Sequence, residues 1–401
     1  LRMSKKKKIK PNTSLVHAGR DKKFANGAVN IPPYRSSTVL FDTLDEYKAW
    51  DHDYKTFRYG RLGSPNSLAL EEAYSELTGA YRSIATNSGM SAINIAVSGF
   101  LEQGSHALVT EGAYEPAAEL FKNHLGSFGV ETDFISPLIG EEISDLIKAE
   151  TKLVYLEAPS SNTFEIPDID LLVQTIRSKS QALGTDIIIV FDNTWAGPLY
   201  FKPIEKGIDI EIQAATKYVV GHSDAMLGLV ACTKAAYQAV KNSARNQGIS
   251  AGPDTCYLGL RGLRTMAVRM DAQYDSAMEI AHWLQGQDIV KDILYPPLKS
   301  SHSHENWKKN FTGGGSLMSI TLNKQYSDEE LASMLDHMDL FAMGYSWGGF
   351  ESLITPCRLQ KDRISDIGRF KNTFMRLHIG LEDVSDLIDD LDSGFDRLRN
   401  K

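Results

Sequence analysis

The chain has 401 residues, of which 42% are hydrophobic and 23% charged, and its net charge is −8. This length predicts more than one domain, and the acidic balance excludes nucleic acid as the main partner, because binding to phosphate backbones needs a basic face. The three cysteines, Cys232, Cys256 and Cys357, have neither metal-binding nor disulfide spacing, and no apolar run reaches the ~18 residues that span a bilayer. We therefore expect a cytoplasmic globular protein with no metal, membrane or nucleic-acid partner.

The first 63 residues contain little that could form a core, so we predict an extension, residues 1–63, that packs against a neighbouring subunit. Residues 57–63, FRYGRLG, are the part expected to deliver groups across that interface. A helix is predicted next, because Ser64 is a typical N-cap and Gly79 a typical stop.

A small polar turn, ATNSGMS at residues 85–91, is predicted to open a second helix. The backbone N–H groups of Gly89 and Met90 then lie at the positive end of a helix dipole, which suits a phosphate. Many helices begin in this way without binding a ligand, so both interpretations stand at this point.

Strand-like and helical segments alternate through a predicted second domain, residues 64–263. This alternation predicts an α/β fold, with a mostly parallel sheet and helices on both of its faces. The predicted strands cover residues 106–110, 130–134, 152–156, 186–191, 209–213 and 228–233, and the helices between them include residues 116–126 and 169–183.

Residues 264–401 are predicted to form a smaller α+β domain. Longer helices are expected at residues 263–284 and 327–338, and strands at residues 317–322 and 374–379. Three glycines at residues 313–315 lack the lysine and the helix of a phosphate-binding loop, so they predict a turn before a strand.

Three polar residues follow strands of the predicted sheet, at the edge where open α/β sheets bind ligands. Lys217 follows the strand at residues 209–213, and partial burial of a lysine favours the neutral amine that attacks aldehydes. Asp192 ends the strand at residues 186–191 and suits the carboxylate that keeps a pyridine nitrogen protonated. Tyr114 offers a ring for stacking. The alternative to a functional role is that Lys217 is a solvated surface residue and that Asp192 caps the turn after its strand.

The other parts that a pyridoxal phosphate (PLP) site needs are also present. Phosphate donors are predicted from the Gly89 and Met90 amides, the Thr216 hydroxyl and the planar guanidinium of Arg61. Arg376, in a predicted strand of the smaller domain, is expected to bind a substrate carboxylate. A salt-bridged structural role is the alternative for Arg376.

Short motifs occur in one order along almost the whole chain: HAGR at residues 17–20, YGR at 59–61, SGM at 88–90, AYEP at 113–116, DNTW at 192–195, ATKY at 215–218, RGLR at 261–264, YSWGG at 345–349 and RLH at 376–378. In this order they resemble the Cys/Met-metabolism family of PLP-dependent enzymes. The resemblance implies a PLP-dependent transferase fold of the aspartate aminotransferase type (fold type I). It also implies a homotetramer, a dimer of dimers in which Tyr59 and Arg61 reach the PLP phosphate of the neighbouring subunit.

Two features resemble the branch of this family that catalyses β-elimination. Members that act at Cγ usually have Glu-Ser-Leu-Gly-Gly at residues 345–349, and asparagine in place of Ser161. The resemblance implies cleavage of L-cystathionine to homocysteine, pyruvate and ammonia, with Ser346 and Trp347 at the substrate. Cystine and other cysteine S-conjugates are further expected substrates. A γ-lyase, a γ-synthase and a non-catalytic PLP-binding regulator are the alternatives.

The same resemblance assigns roles to single residues and exposes two departures. It implies that Lys217 and Tyr114 are catalytic, and that Glu119 binds the far ammonium of the thioether. Ala214 stands where many members have a serine that donates to the phosphate. Leu62 stands where some β-lyases have an arginine for the far carboxylate.

Overall fold

The computed structural model describes residues 9–48, 56–359, 363, 365 and 370–400. Two sheets run through this part of the chain. The strands are β1 (Arg82–Thr86), β2 (His106–Thr110), β3 (Glu131–Ile135), β4 (Thr151–Glu157), β5 (Ile188–Asp192), β6 (Ile210–Gln213), β7 (Gly228–Cys232), β8 (Val290–Leu294), β9 (Leu317–Leu322), β10 (Leu353–Pro356) and β11 (Phe374–His378).

Helices make up most of the remaining chain. The α-helices are α1 (Pro11–His17), α2 (Lys22–Ala25), α3 (Leu44–Lys48), α4 (Pro65–Thr78), α5 (Gly89–Ser98), α6 (Glu115–Glu119), α7 (Ile143–Leu146), α8 (Ile169–Leu183), α9 (Gly197–Tyr200), α10 (Lys234–Asn246), α11 (Pro253–Leu284), α12 (His304–Asn310), α13 (Asp328–Leu335) and α14 (Val384–Arg399). A π-helix, Leu120–Leu125, continues α6. Among the described helices, none has both the length and the apolar character needed to cross a membrane.

The larger sheet has seven strands in the order β1-β7-β6-β5-β4-β2-β3. Strands β2 to β6 are parallel, as the alternation of strands and helices predicts. Strand β7 runs antiparallel to both β6 and β1. The sequence analysis did not predict β1, whose five residues, RSIAT, show no clear apolar alternation.

Helices pack on both faces of this sheet. In β7, successive side chains point alternately into the apolar clusters on the two faces. Val230 and Cys232 pack into one apolar cluster, to which α5 and α10 also contribute. Leu229 and Ala231 pack into another, together with α4 and α11. A strand buried on both faces is apolar along its length, and all five residues of β7 are buried.

The smaller sheet is antiparallel throughout, in the order β10-β11-β9-β8. Its apolar residues join one large cluster with α8, α13 and α14, so the two sheets share a continuous core. Strand β9 matches the predicted residues 317–322, whereas β8 and β10 were not predicted.

Helix α11 is 32 residues long and begins ten residues before the predicted start at 263. It therefore crosses the predicted domain boundary between residues 263 and 264. Two glycines obscure the helical pattern in its first half, and packing explains both of them. A Cβ on Gly259 would lie 2.5 Å from the Leu227 side chain, and one on Gly262 would lie 2.1 Å from the Val219 carbonyl oxygen.

Candidate active site

The carboxyl ends of the parallel strands bring the predicted residues together at one edge of the sheet, as expected for open α/β folds. Asp192 is the last residue of β5 and is buried. One carboxylate oxygen accepts hydrogen bonds from the Thr194 N–H (2.9 Å) and hydroxyl (2.5 Å), and the other accepts one from the Tyr155 hydroxyl (3.5 Å). These donors favour the ionised form of a carboxyl whose pKa burial raises.

A second carboxylate, Glu157, lies directly opposite Asp192 in the ladder between β4 and β5. It accepts the Tyr114 N–H at 2.7 Å. Burial, followed by the nearby charge of Asp192, raises the pKa of Glu157 well above its usual value. Two adjacent buried carboxyls do not both ionise readily, and Asp192 has the larger set of donors. We therefore assign the negative charge to Asp192 and the proton to Glu157.

Lys217 lies in the turn after β6, where its N–H bonds to the Ala214 carbonyl at 3.0 Å. Its Nζ donates to the Ser346 hydroxyl at 2.7 Å and lies 5.1 Å from the centroid of the Trp347 ring. Burial, together with the Arg376 charge, lowers the pKa of Lys217 to about 8, against a smaller opposing effect of Asp192. A substantial fraction of this amine is thus neutral near pH 8, the form that attacks an aldehyde.

Arg376 comes from β11 of the smaller sheet, and it lines the same cleft as Asp192 and Trp347. Its Nη2 lies 3.4 Å from the Ser346 carbonyl oxygen. Burial lowers the pKa of Arg376, which still remains a cation because a guanidinium starts from a very high value. Ser346 thus lies between two cations: its hydroxyl contacts the Lys217 amine, and its carbonyl oxygen contacts the Arg376 guanidinium.

Tyr114 precedes α6, and its side chain is 46% exposed at the mouth of the site. The N–H bond to Glu157 fixes its backbone, which leaves the ring available for stacking. Burial raises the pKa of the Tyr114 hydroxyl, with a further contribution from Glu157 and an opposing one from Arg376. The hydroxyl therefore holds its proton at neutral pH.

The predicted phosphate corner is the start of α5. The Ser88 hydroxyl accepts the Ser91 N–H, so the N–H groups of Gly89 and Met90 precede the helix's own hydrogen bonds. Gly89 approaches Ala214 so closely that a Cβ would lie 2.8 Å from the alanine Cβ. The Thr216 hydroxyl donates to the Leu227 carbonyl (3.1 Å) and must rotate before it can donate to a phosphate.

Asp192, Trp347 and Arg376 line one cleft, called the inner cavity below, and the Lys217 amine lies beside it at the Trp347 ring. A buried carboxylate, a partly neutral lysine and the unsatisfied N–H groups of a helix start are the three features that PLP requires. The residues therefore fit that cofactor. The cavity is lined by Glu157, Pro159, Ser160, Ser161, Asn162, Phe164, Asp192, Thr194, Trp195, Leu317, Trp347 and Arg376.

Three predicted site residues lie elsewhere in the single chain. Tyr59 is exposed, and Arg61 Nη1 donates to the Arg245 carbonyl at 3.0 Å. Arg61 and Leu62 line a separate cleft beside α10. Glu119 ends α6 with an exposed side chain and does not line the inner cavity.

Two supporting residues were missed by the sequence analysis. Glu157 ends β4 as Asp192 ends β5, so a register between the two strands would have revealed it. His378 is buried in β11, where it contacts the Ser316 hydroxyl (3.0 Å) and accepts the Gly348 N–H (3.1 Å). Burial lowers the pKa of His378 to about 3, so the ring is neutral and holds the 346–349 loop in place.

Comparison with known proteins agrees with this geometry. The sequence matches the family described as Cys/Met metabolism PLP-dependent enzyme over residues 12–396. The chain belongs to this family. PLP is accordingly its cofactor, and the family and cofactor predicted from the sequence are both confirmed.

Individual relatives in this family cover nearly the full chain. Cystathionine beta-lyase MetC of Escherichia coli (strain K12) is 41% identical over 394 residues, which is 97% of this chain and 99% of that protein. The L-alanine/L-glutamate racemase of Wolbachia pipientis wMel is 36% identical, over 97% of this chain and 98% of that protein. A solved structure, cystathionine gamma synthase from Xanthomonas oryzae pv. oryzae in complex with aminoacrylate and cysteine, has a TM-score of 0.88 at 28% identity. The match covers 98% of this chain and 99% of that one, and it confirms the predicted fold class.

Proposed function

We propose that this enzyme is a carbon–sulfur β-lyase that cleaves L-cystathionine to homocysteine, pyruvate and ammonia, as in the biosynthesis of methionine. The observation that carries the proposal is that the Lys217 amine and the Arg376 guanidinium both contact Ser346, while Arg376 lines the inner cavity together with Asp192. The 41% identity to a cystathionine beta-lyase supports the same substrate. Cystine and other cysteine S-conjugates present the same reacting atoms and are further candidates.

The residues divide the work of β-elimination between them. PLP, when bound here, supplies an aldehyde that bonds to amines and a ring that withdraws electrons from the substrate Cα. Arg376 binds the substrate α-carboxylate, and the Asp192 carboxylate would accept a hydrogen bond from the pyridine N–H of bound PLP and so keep that nitrogen protonated. The Lys217 amine removes the Cα proton, and either Lys217 or Tyr114 returns a proton to the departing sulfur. Ser346 and Trp347 hold the Lys217 amine in place.

We assign the other predicted roles on the same basis. Gly89 and Met90 bind the PLP phosphate through their N–H groups, with Thr216 as a third donor. Tyr59 and Arg61 complete a phosphate site in a neighbouring subunit, which is consistent with the exposure of Tyr59 and the position of Arg61 in a separate cleft of its own chain. Glu119 lies outside that cavity, and its proposed contact with the far ammonium requires a substrate that extends past the mouth.

The assembly that this implies is a homotetramer, a dimer of dimers. The extension, residues 1–63, carries exposed apolar side chains that a partner subunit would cover; they include Val29, Leu40 and Leu44. All three cysteines are free thiols, which suits the reducing cytoplasm. A cofactor domain of residues 64–263 and a smaller domain of residues 264–401 remain our proposed division of the chain.

Product analysis tests the proposal. Incubation with L-cystathionine should yield pyruvate, whereas a γ-lyase would yield 2-oxobutyrate and a non-catalytic regulator would yield neither. Lys217→Ala should lose the visible absorbance of bound PLP and reduce pyruvate release at least 10³-fold, because it removes both the covalent anchor and the base. Lys234→Ala, which changes an exposed lysine of α10, is the matched control and should keep both signals. Normal turnover by Lys217→Ala would refute the proposal.

Racemisation of an amino acid is a second candidate function, favoured by the 36% identity to the Wolbachia racemase. It shares the removal of the Cα proton by Lys217 but needs no leaving group. Assay of D-alanine from L-alanine, beside the pyruvate assay, separates the two activities. If the enzyme racemises alanine but releases no pyruvate from cystathionine, the proposed lyase function is refuted and racemisation becomes the proposed function.

A further inference from the structure

Helix α11 carries a buried cation, Arg269, that the reaction proposed above does not use. Among the described residues, no carboxylate forms an ion pair with it, and burial alone lowers its pKa to about 10. The guanidinium is therefore charged at neutral pH. A buried charge without an opposite charge nearby is costly, because it has lost its hydration. The contacts that Arg269 makes must offset this cost.

These contacts lie at the turn that follows the catalytic lysine, Lys217. Arg269 Nη2 donates to the Tyr218 carbonyl at 2.8 Å and to the Gly262 carbonyl at 2.9 Å. Its Nε donates to the Thr265 hydroxyl at 3.3 Å. One side chain thus connects the backbone next to Lys217 to helix α11.

The turn and the helix also touch directly, because glycines leave no side chain between them. A Cβ on Gly221 would overlap the Arg269 guanidinium, and one on Gly262 would overlap the Val219 carbonyl oxygen. The Gly221 N–H donates to the Lys217 carbonyl at 2.8 Å and so closes the turn. The backbone of Lys217 therefore belongs to a compact turn that Arg269 holds against α11.

The same face of α11 holds the segment that contacts the lysine amine. Gln273 lies four residues after Arg269, and residues at this spacing share one face of a helix. It is buried and donates to the Gly349 carbonyl at 2.6 Å, in the loop whose Ser346 hydroxyl accepts from Lys217 Nζ. Arg269 thus acts on the backbone of Lys217, and Gln273 acts on the surroundings of its amine.

We propose that Arg269 is a positioning residue for Lys217, which holds the turn after the lysine and so sets where the amine meets the substrate Cα. The inference rests on the proposed function in one respect, the removal of the Cα proton by Lys217. Arg269 does not line the inner cavity and acts only through the lysine. A guanidinium suits this role because its planar fork donates in several fixed directions, whereas a lysine ammonium is a point charge on a flexible stem.

The substitution Arg269→Lys keeps the charge and removes the fork. In the PLP-loaded enzyme, kcat for pyruvate release from L-cystathionine should fall about 10- to 100-fold, because a misplacement of about 1 Å has an effect of this size. KM should stay near that of the wild type, since Arg376 still binds the substrate. Exchange of the Cα proton of L-alanine in deuterium oxide, followed by NMR, should fall by the same factor, because it needs the Lys217 amine but no leaving group.

A further measurement does not depend on turnover. When PLP is added to cofactor-free enzyme, the visible absorbance of bound PLP should appear more slowly in Arg269→Lys than in the wild type. The reason is that a misplaced Lys217 amine reaches the aldehyde less often.

Arg264→Lys is the matched control, because Arg264 lies on the same helix and also donates to two backbone carbonyls. Its acceptors are Leu15 and Ala18, at and just after the end of α1, and neither contacts the turn after Lys217. The same substitution therefore loosens a different contact of α11. It should leave kcat, proton exchange and the rate of PLP uptake as in the wild type.

A milder variant covers the case in which Arg269→Lys does not fold. Thr265→Val removes only the acceptor for Arg269 Nε, so kcat and proton exchange should fall by about 2- to 10-fold, the usual effect of one hydrogen bond. Thermal unfolding shows which variants are folded at the assay temperature.

The outcomes separate the role of Arg269 from the lyase activity. Unchanged kcat and exchange in folded Arg269→Lys, or in Thr265→Val where the first variant is unfolded, overturn the inference. An equal loss in Arg264→Lys, or a rise in KM alone, overturns it too. A wild type that exchanges the alanine proton without releasing pyruvate refutes the β-lyase, and the exchange rates then decide the role of Arg269. A wild type that does neither refutes both.

Discussion

Carboxylates at the ends of neighbouring strands behave differently because their hydrogen-bond partners differ. Asp192 has three donor groups and stays ionised, while Glu157 has one and holds a proton. Glu211, in β6, is a third case. It is fully buried, and one of its oxygens accepts from the Tyr74 hydroxyl (2.8 Å) and the Asn193 amide (3.0 Å). Its other oxygen has no partner among the described residues.

Burial raises the pKa of Glu211 to about 7, against the opposing hydrogen bonds from Asn193 and Tyr74; the charge of Asp192 adds a smaller rise, and Lys202 a still smaller opposing effect. The unfolded chain releases this proton near pH 4.5, so the protonated carboxyl stabilises the fold below that pH. The contribution falls as the pH rises from 4.5 to 7 and is lost above 7. Glu211→Gln cannot ionise, so its stability relative to the wild type should rise by about 3 kcal/mol between pH 4.5 and 8.

Thermal unfolding followed by tryptophan fluorescence at pH 5 and pH 8 measures this change. The difference in melting temperature between Glu211→Gln and the wild type should move in favour of the variant at the higher pH. Glu102→Gln, at an exposed glutamate, is the control and should give the same difference at both values. An equal shift in the two variants would show that Glu211 is ionised at pH 5.

The loop at residues 346–349 is the element that connects β11 and α11 to Lys217. Its Ser346 hydroxyl accepts from Lys217, and its Gly348 N–H donates to His378 in β11. Gln273 of α11 donates to the Gly349 carbonyl at 2.6 Å. The loop is therefore held by β11 on one side and by α11 on the other. Because Ser346 of this loop contacts the Lys217 amine, the rigid loop restricts the position of that amine.

A substitution at Gly348 tests this coupling, because both the backbone conformation and the space at this position require glycine. Its φ is +84°, and a Cβ would lie 2.9 to 3.1 Å from the Lys217 backbone and Cβ. Gly348→Ala should lose about 1–2 kcal/mol of stability from the left-handed backbone and should also displace the lysine, lowering kcat/KM at least tenfold. Steady-state kinetics on cystathionine measure the second effect.

Gly104→Ala is the matched control, because Gly104 has a φ of +85° with nothing within 4 Å of its Cβ position. It carries the same backbone strain without the steric contact. Its stability should fall by a similar amount and its kcat/KM should stay near that of the wild type. Equal activity in the two variants would mean that the loop does not position Lys217.

At the scale of the whole molecule, a single chain supplies only part of the proposed site. The inner cavity combines strand ends of the larger sheet with Arg376 from the smaller one. Arg61 lies in another cleft, and the apolar side chains of the extension face solvent in the isolated chain; Leu40 is 88% exposed. Both observations favour an assembly in which subunits complete one another.

Leu40→Asp should weaken that assembly, because a charge would have to be buried in an apolar interface. We expect a smaller mass in analytical ultracentrifugation and at least a tenfold rise in the PLP concentration for half-saturation, since Arg61 no longer reaches the neighbouring phosphate. Leu183→Asp, at an exposed leucine ending α8, is the control and should change neither value. A monomeric wild type with normal PLP affinity would contradict the shared site.

The sequence by itself determined the parallel strands β2 to β6 and the starts of α4, α5 and α8, and it is the source of the prediction that Lys217, Asp192 and Arg376 are site residues. Each depends on local pattern: apolar runs mark buried strands, and a polar residue after such a run lies at the sheet edge. Helix α11 was predicted too short because Gly259 and Gly262 interrupt its helical pattern. These glycines allow close contact with Leu227 and Val219, and one sequence gives no local signal for contacts between such distant residues.

Only the tertiary structure decided the reversed direction of β7 and the pairing of Glu157 with Asp192. Each of these depends on register or on contacts between distant segments. Such contacts have no periodic signal in one sequence, because what fixes them is the packing of the complete core.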